Sequence, residues 1–113
     1  MDIDQQLIDE VQLQLEDDIL HFAWLVQLVH QMNPSLSDLE CVDTVVDLVA
    51  RLHGDATIVI GNARQFNEIV LIDAWPESEH NLRDRIKSAI DESSDRDRDF
   101  CFWIQLSKHF TRS

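Results

Sequence analysis

A chain of 113 residues with a formal net charge of −13 has the length of one domain and is too acidic to grip a phosphate backbone. Its 44% hydrophobic content, with only two glycines and two prolines, excludes a disordered tail or a fibre. The apolar stretch Ile19–Val29 is too short to cross a bilayer, and Asp2 and Asp4 stand where a signal peptide would be basic.

Residues 1–32 are helical by pattern. Ile8, Leu15, Phe22 and Val29 recur every seven residues, flanked by Ile3, Leu7, Val11, Ile19 and Val26. Asp18 falls on this stripe. The expectation is one continuous or slightly kinked helix; the alternative is a break near Glu16–Asp18, with Asp17 capping a second helix. On the opposite side Leu13, Leu20, Trp24 and Leu28 form a second apolar strip. A helix apolar on two sides is buried on two, so this strip predicts a homodimer contact or cover by the next helix.

That next helix is sharply marked. Pro34 pushes Asn33 out of the helical region, and Ser37-Asp38-Leu39-Glu40 is a capping box with Ser37 as N-cap. Leu36 and Cys41 suit a hydrophobic staple across it. Leu39, Val42, Val45, Val46, Val49 and Leu52 make the expected buried face, and Gly54 is the expected residue just past the end. Glu40, Asp43, Asp47 and Arg51 line the exposed side.

Two β-branched runs follow, Ala56–Ile60 and Ile69–Trp75, divided by Gly61, Asn62 and a polar segment. They predict an antiparallel hairpin, with Gly61-Asn62 as a turn. A third helix starting at Pro76 or Ser78 buries Leu82, Ile86, Ala89 and Ile90, with Glu79, Arg83 and Lys87 outside. Residues 91–99 read as a solvated loop, and Phe100–Leu106 as a third strand, parallel to Ile69–Trp75 through a right-handed crossover. Residues 107–113 are expected to fray. The fold class is therefore α+β, in the order α-α-β-β-α-β, with a three-stranded mixed sheet packed against helices. One domain spans residues 1–113, with Val46, Val49, Ile58, Ile60, Val70, Ile72, Ile86 and Ile104 in its core.

Residues that could carry chemistry are few. Cys41 and Cys101 fit neither a CxxC pair nor a zinc spacing, which suits free thiols in a reducing cytoplasm. The five histidines show no ligand spacing, and no P-loop, GxGxxG or GxSxG is present. Cys41 near a helix N-terminus is a nucleophile candidate by position, but the staple makes it a packing residue first. Cys101, Trp103 and Gln105 share one strand face, where Trp75 and Trp103 would form an aromatic patch if that face is open. No catalytic residue, metal or cofactor is expected.

The distribution of charge says more. Residues 1–50 hold eleven acids and no lysine or arginine; all nine basic residues begin at Arg51. Such asymmetry steers a basic target toward one side of the molecule. The expectation is an acidic binding protein of the inhibitor, immunity or chaperone-like kind, not an enzyme. It would be cytoplasmic, with no nucleic-acid or membrane partner. Asp9, Glu16, Asp17, Glu40, Asp43 and Asp47 on the N-terminal helices would meet a basic protein. A homodimeric interaction module joined through Leu13, Leu20, Trp24 and Leu28, or a small enzyme with a cleft beside Trp75, Trp103 and His109, are the alternatives.

Overall fold

Three consecutive acids decide how the chain enters the fold. In the computed structural model, which describes residues 5–66, 69–75, 79–92 and 100–109, the first helix, α1 (Gln5–Leu15), stops before Glu16-Asp17-Asp18. Negative charge at a helix C-terminus opposes the helix dipole. The Asp18 carboxylate also accepts the Ile19 N–H at 2.8 Å, offering the backbone a bond outside the helix. The chain then extends through β1 (Leu20–His21) before re-entering a helix, α2 (Phe22–Met32). The single helix expected over residues 1–32 is therefore corrected to two helices and a strand. The cap of α2 is His21 rather than Asp17: its Nδ1 accepts the Trp24 N–H at 3.2 Å. The heptad stripe survives because both helices turn it to the same core, α1 through Leu7, Ile8, Val11 and Leu15, α2 through Phe22, Leu25 and Val29.

Helix α3 (Asp38–Gly54) begins as the sequence dictates. Ser37 Oγ accepts the Glu40 N–H at 3.2 Å, and Glu40 Oε1 accepts the Ser37 N–H at 3.1 Å. Leu36 and Cys41 both pack into the core. The buried face differs in detail: Cys41, Val45, Val46, Leu48, Val49, Ala50 and Leu52 are covered, whereas Leu39 is 70% exposed. The helix runs through Gly54, and the left-handed residue beyond it is Ala56, at φ +59°.

Strand β2 (Ile58–Phe66) continues past Gly61 and Asn62, so these residues lie within a strand and not at a turn. Asn62 Oδ1 accepts the Trp75 indole N–H at 2.7 Å. β2 pairs antiparallel with β3 (Ile69–Ala74), the register closing at Phe66↔Ile69. The backbones approach closely here: a Cβ on Gly61 would lie 1.9 Å from the Asp73 carbonyl oxygen. After α4 (Glu79–Glu92) comes β4 (Trp103–Leu106), which pairs with β2 on one side and β1 on the other.

The sheet thus has four strands in the order β1-β4-β2-β3, all antiparallel, in place of a three-stranded mixed sheet. β4 does run in the same direction as β3, as the crossover requires, but β2 stands between them. The element order is α-β-α-α-β-β-α-β. Ser107–His109 form a short 3₁₀ turn anchored by the Ser107 N–H on the Thr57 carbonyl at 2.9 Å, where fraying was expected. The expected helix start at Pro76 or Ser78 and most of the expected loop lie outside the described residues.

The register divides the sheet into two faces. Leu20, Ile104 and Ile60 form one cross-strand row, which packs with all four helices into one core around the fully buried Phe102. His21, Trp103, Gly61 and Ala74 form the next row, facing away from the helices. Of the expected core, Val46, Val49, Ile58, Ile60, Ile86 and Ile104 belong to that cluster. Ile72 is only 6% exposed but lies outside it, paired with Ala63 on the outer face, and the Val70 side chain lies outside the described residues.

Candidate functional site

The break after α1 builds a recess. A cleft of about 730 Å³ opens where the turn 16–19, the first turn of α2 and the outward side chains of β4 meet. Its acidic side is Glu16, Asp17 and Asp18; its aromatic side is His21, Trp24 and Trp103, with Gln14 and Gln105 as polar neighbours. Aromatic rings fix the wall. Pairing of β1 with β4 sets His21 opposite Trp103, ring centroids 5.0 Å apart and edge to face. Phe100 stacks on Trp103 at 5.8 Å and 19°, and contacts His21 at 4.7 Å, yet is 54% exposed. A large aromatic left this open beside two others is the kind of surface that partners cover. At the acidic rim Lys108 Nζ donates to Glu16 Oε1 at 2.8 Å.

The six acids expected to form one docking face are carried by two groups of elements. α1 packs on α2 and β4, whereas α3 packs on α2, α4 and β2, so α2 stands between the two groups. Asp9 accepts a hydrogen bond from Gln5 at 2.9 Å, Glu16 holds Lys108, and Asp17 is exposed at the cleft. On α3, Glu40 is engaged in the capping box, and its carboxyl is held below the usual range by the Ser37 backbone N–H and then its side chain. Asp47 is ion-paired with Arg83 of α4, and Asp43 is exposed. The α3 line is therefore partly spent inside the molecule, while the acids at the turn stand over a recess.

The expected apolar strip also separates. Leu13 on α1 is 63% exposed, Leu20 is buried in β1, and Trp24 and Leu28 on α2 are half-buried against the core. With the helix broken, these four residues no longer share one face. Trp75 and Trp103 do not form one patch either: Trp75 packs on Phe102 at 6.1 Å on the core side, with the Arg85 guanidinium 4.1 Å over its ring. The side chain of His109 lies outside the described residues.

Two further arrangements bear on chemistry. Cys41 Sγ lies 3.7 Å from His30 Nδ1, a thiol beside an imidazole. Burial pushes the Cys41 thiol up, and the charges of Asp38 and Glu40 add to that, so the thiol is held protonated rather than activated. Cys101 is buried. Among the described residues no three His, Cys, Asp or Glu side chains converge as metal ligands would, and no helix is long and apolar enough to cross a membrane.

No family model, characterised protein or solved structure matches this chain. The site's meaning rests on its own geometry. Of its residues, Glu16, Asp17, Leu20, Trp24, Trp103 and Gln105 were singled out by sequence, but on different supposed surfaces. Asp18 and His21 were missed as site residues, as was Phe100, which stacks on the cleft's Trp103 from outside the lining. The signal was present in the run Glu16-Asp17-Asp18, a poor helix end followed at once by Ile19-Leu20, a short apolar pair that suits an edge strand.

Proposed function

We propose that this is a binding protein that docks a basic protein partner, of the inhibitor, immunity or chaperone-like kind, and that the docking surface centres on the cleft beside β1. The observation that carries this reading is the conjunction of three carboxylates with an aromatic wall in one recess. Acids at a rim accelerate encounter, and aromatic residues at a covered centre set the lifetime. The absence of Lys and Arg before Arg51 supports the same reading, because it leaves nothing in the first 50 residues to repel a basic partner.

The test compares two charge reversals on association with a basic partner isolated from the native cell. Asp17→Lys with Asp18→Asn alters the cleft's charge and keeps an acceptor for the Ile19 N–H; Asp43→Lys with Asp47→Lys alters α3. Both reversals slow association, the first more strongly, and raising salt from about 0.05 to 0.5 M diminishes both effects by shortening the screening length to a few ångström. An on-rate indifferent to salt and to both reversals removes the electrostatic docking reading.

A further inference from the structure

We infer that the cleft beside β1 seats an arginine side chain of the partner, with the guanidinium on the Trp103 wall and its charge met by Glu16, Asp17 and Asp18. This rests on the reading of the protein as a binder of a basic partner and specifies what it grips. Four observations carry it.

The recess, at about 730 Å³, lies in the range of sites that take a whole ligand, so it admits a side chain together with the segment that bears it. Its lining contains three carboxylates, two indoles and no lysine or arginine. The ligand complementary to such a lining is cationic and has an apolar or π surface. The aromatic wall is fixed before any ligand arrives, by strand pairing of His21 with Trp103 and by Phe100 stacked on Trp103 from outside the cleft lining, so little ordering cost accompanies binding. The chain itself shows both halves of the contact. Lys108 places a cation on Glu16 at 2.8 Å, and Arg85 lays its guanidinium over the Trp75 indole at 4.1 Å.

Arginine is chosen over lysine on chemistry. A guanidinium is planar and weakly hydrated, so it stacks on an indole while its edge still donates to carboxylates. An ammonium keeps its water more tightly and meets one carboxylate as a point charge, as Lys108 does. Lys108 then acts as the chain's own competitor at the rim, released from Glu16 when the partner's cation arrives.

The experiment titrates the intact protein with three blocked tripeptides, Gly-Arg-Gly, Gly-Lys-Gly and Gly-citrulline-Gly, and follows the indole N–H signals by NMR. The expected result is a saturable shift of the Trp24 and Trp103 signals with the arginine peptide. Trp75, whose indole donates to Asn62, serves as the unmoved internal control. Citrulline keeps the shape but not the charge, and is expected to bind roughly tenfold more weakly; lysine falls between them. Asp17→Asn with Asp18→Asn alters two exposed side chains without disturbing the core, and weakens the arginine peptide several-fold. Lys108→Met strengthens it. Equal shifts with citrulline and arginine, a lysine peptide as tight as the arginine peptide, or no saturable shift overturns the inference. A basic partner whose on-rate falls with salt and with the α3 reversal, yet ignores every cleft substitution, overturns it too. That last outcome leaves the binding function standing.

Discussion

Ala56→Gly isolates the one backbone position among the described residues where a residue other than glycine sits at positive φ. Helix α3 ends with the Ala56 N–H on the His53 carbonyl at 2.9 Å and the Thr57 N–H on the Leu52 carbonyl at 3.0 Å. This is the paired bonding of a Schellman end, with Ala56 at the left-handed position, φ +59°. The left-handed region costs an L-residue about 1–2 kcal/mol, from which glycine is exempt. Glycine's greater freedom in the unfolded chain returns about 0.4–1 kcal/mol of that gain. The net expectation is stabilisation of about 0.5–1 kcal/mol. For a domain of this size that raises Tm by about 2–4 °C. Urea unfolding measures it directly: the midpoint rises while the slope is unchanged. Ala56→Val moves the midpoint the other way, because a β-branched side chain fits this region worst. A midpoint unmoved or lowered by Ala56→Gly refutes the assigned helix end.

Gly61→Ala places a methyl group 1.9 Å from the Asp73 carbonyl oxygen, between two paired backbones that cannot both move away. The expected cost is about 3 kcal/mol, seen as a lower urea midpoint and increased amide exchange in β3. Val46→Ala and Val49→Ala each open a cavity in the contiguous core and cost about 1–4 kcal/mol; melts unchanged by both contradict the packing of α3 on the sheet. Glu40→Gln keeps the capping acceptor but removes its charge. Because the folded carboxyl is held below its ordinary range, Glu40 stabilises the fold above the unfolded carboxyl pKa, and this contribution fades as pH falls through the folded value. The stability difference between wild type and Glu40→Gln is therefore largest near neutrality and vanishes in acid; a difference independent of pH counts against the charged cap.

Much of the architecture was legible wherever a local signal and a tertiary demand agree. The capping box at Ser37 and the apolar face of α4 follow from spacing and capping chemistry, and the two β-branched runs do pair as a hairpin, although its first strand extends through the expected turn to Phe66. The failures lie where tertiary pairing outvoted local preference. Gly61-Asn62 is a strong turn signal, but glycine is needed there for close backbone approach, and Asn62 finds a partner in the Trp75 indole. The seven-residue stripe through Phe22 was real, yet it is satisfied by two helices, because periodicity reports a shared core face and not continuity of backbone. Leu39 fits the apolar period of α3 but sits in the first turn, beyond the reach of the sheet. The cleft itself was hidden for the same reason. It joins the turn at 16–19 to β4, residues almost 90 positions apart that only the β1–β4 pairing brings together.

The most direct test of a basic partner held at this cleft separates encounter from lifetime in one set of association and dissociation traces. Asp17→Lys with Asp18→Asn, which keeps an acceptor for the Ile19 N–H, is expected to lower the on-rate by about tenfold at 0.05 M salt and to lose most of that effect at 0.5 M, with little change in the off-rate. Trp103→Leu is expected to raise the off-rate by tenfold or more, at about the loss of one buried aromatic anchor, with the on-rate nearly unchanged. If both variants associate and dissociate like the wild type while their melts remain intact, the partner is held elsewhere, and the cleft is not the docking site.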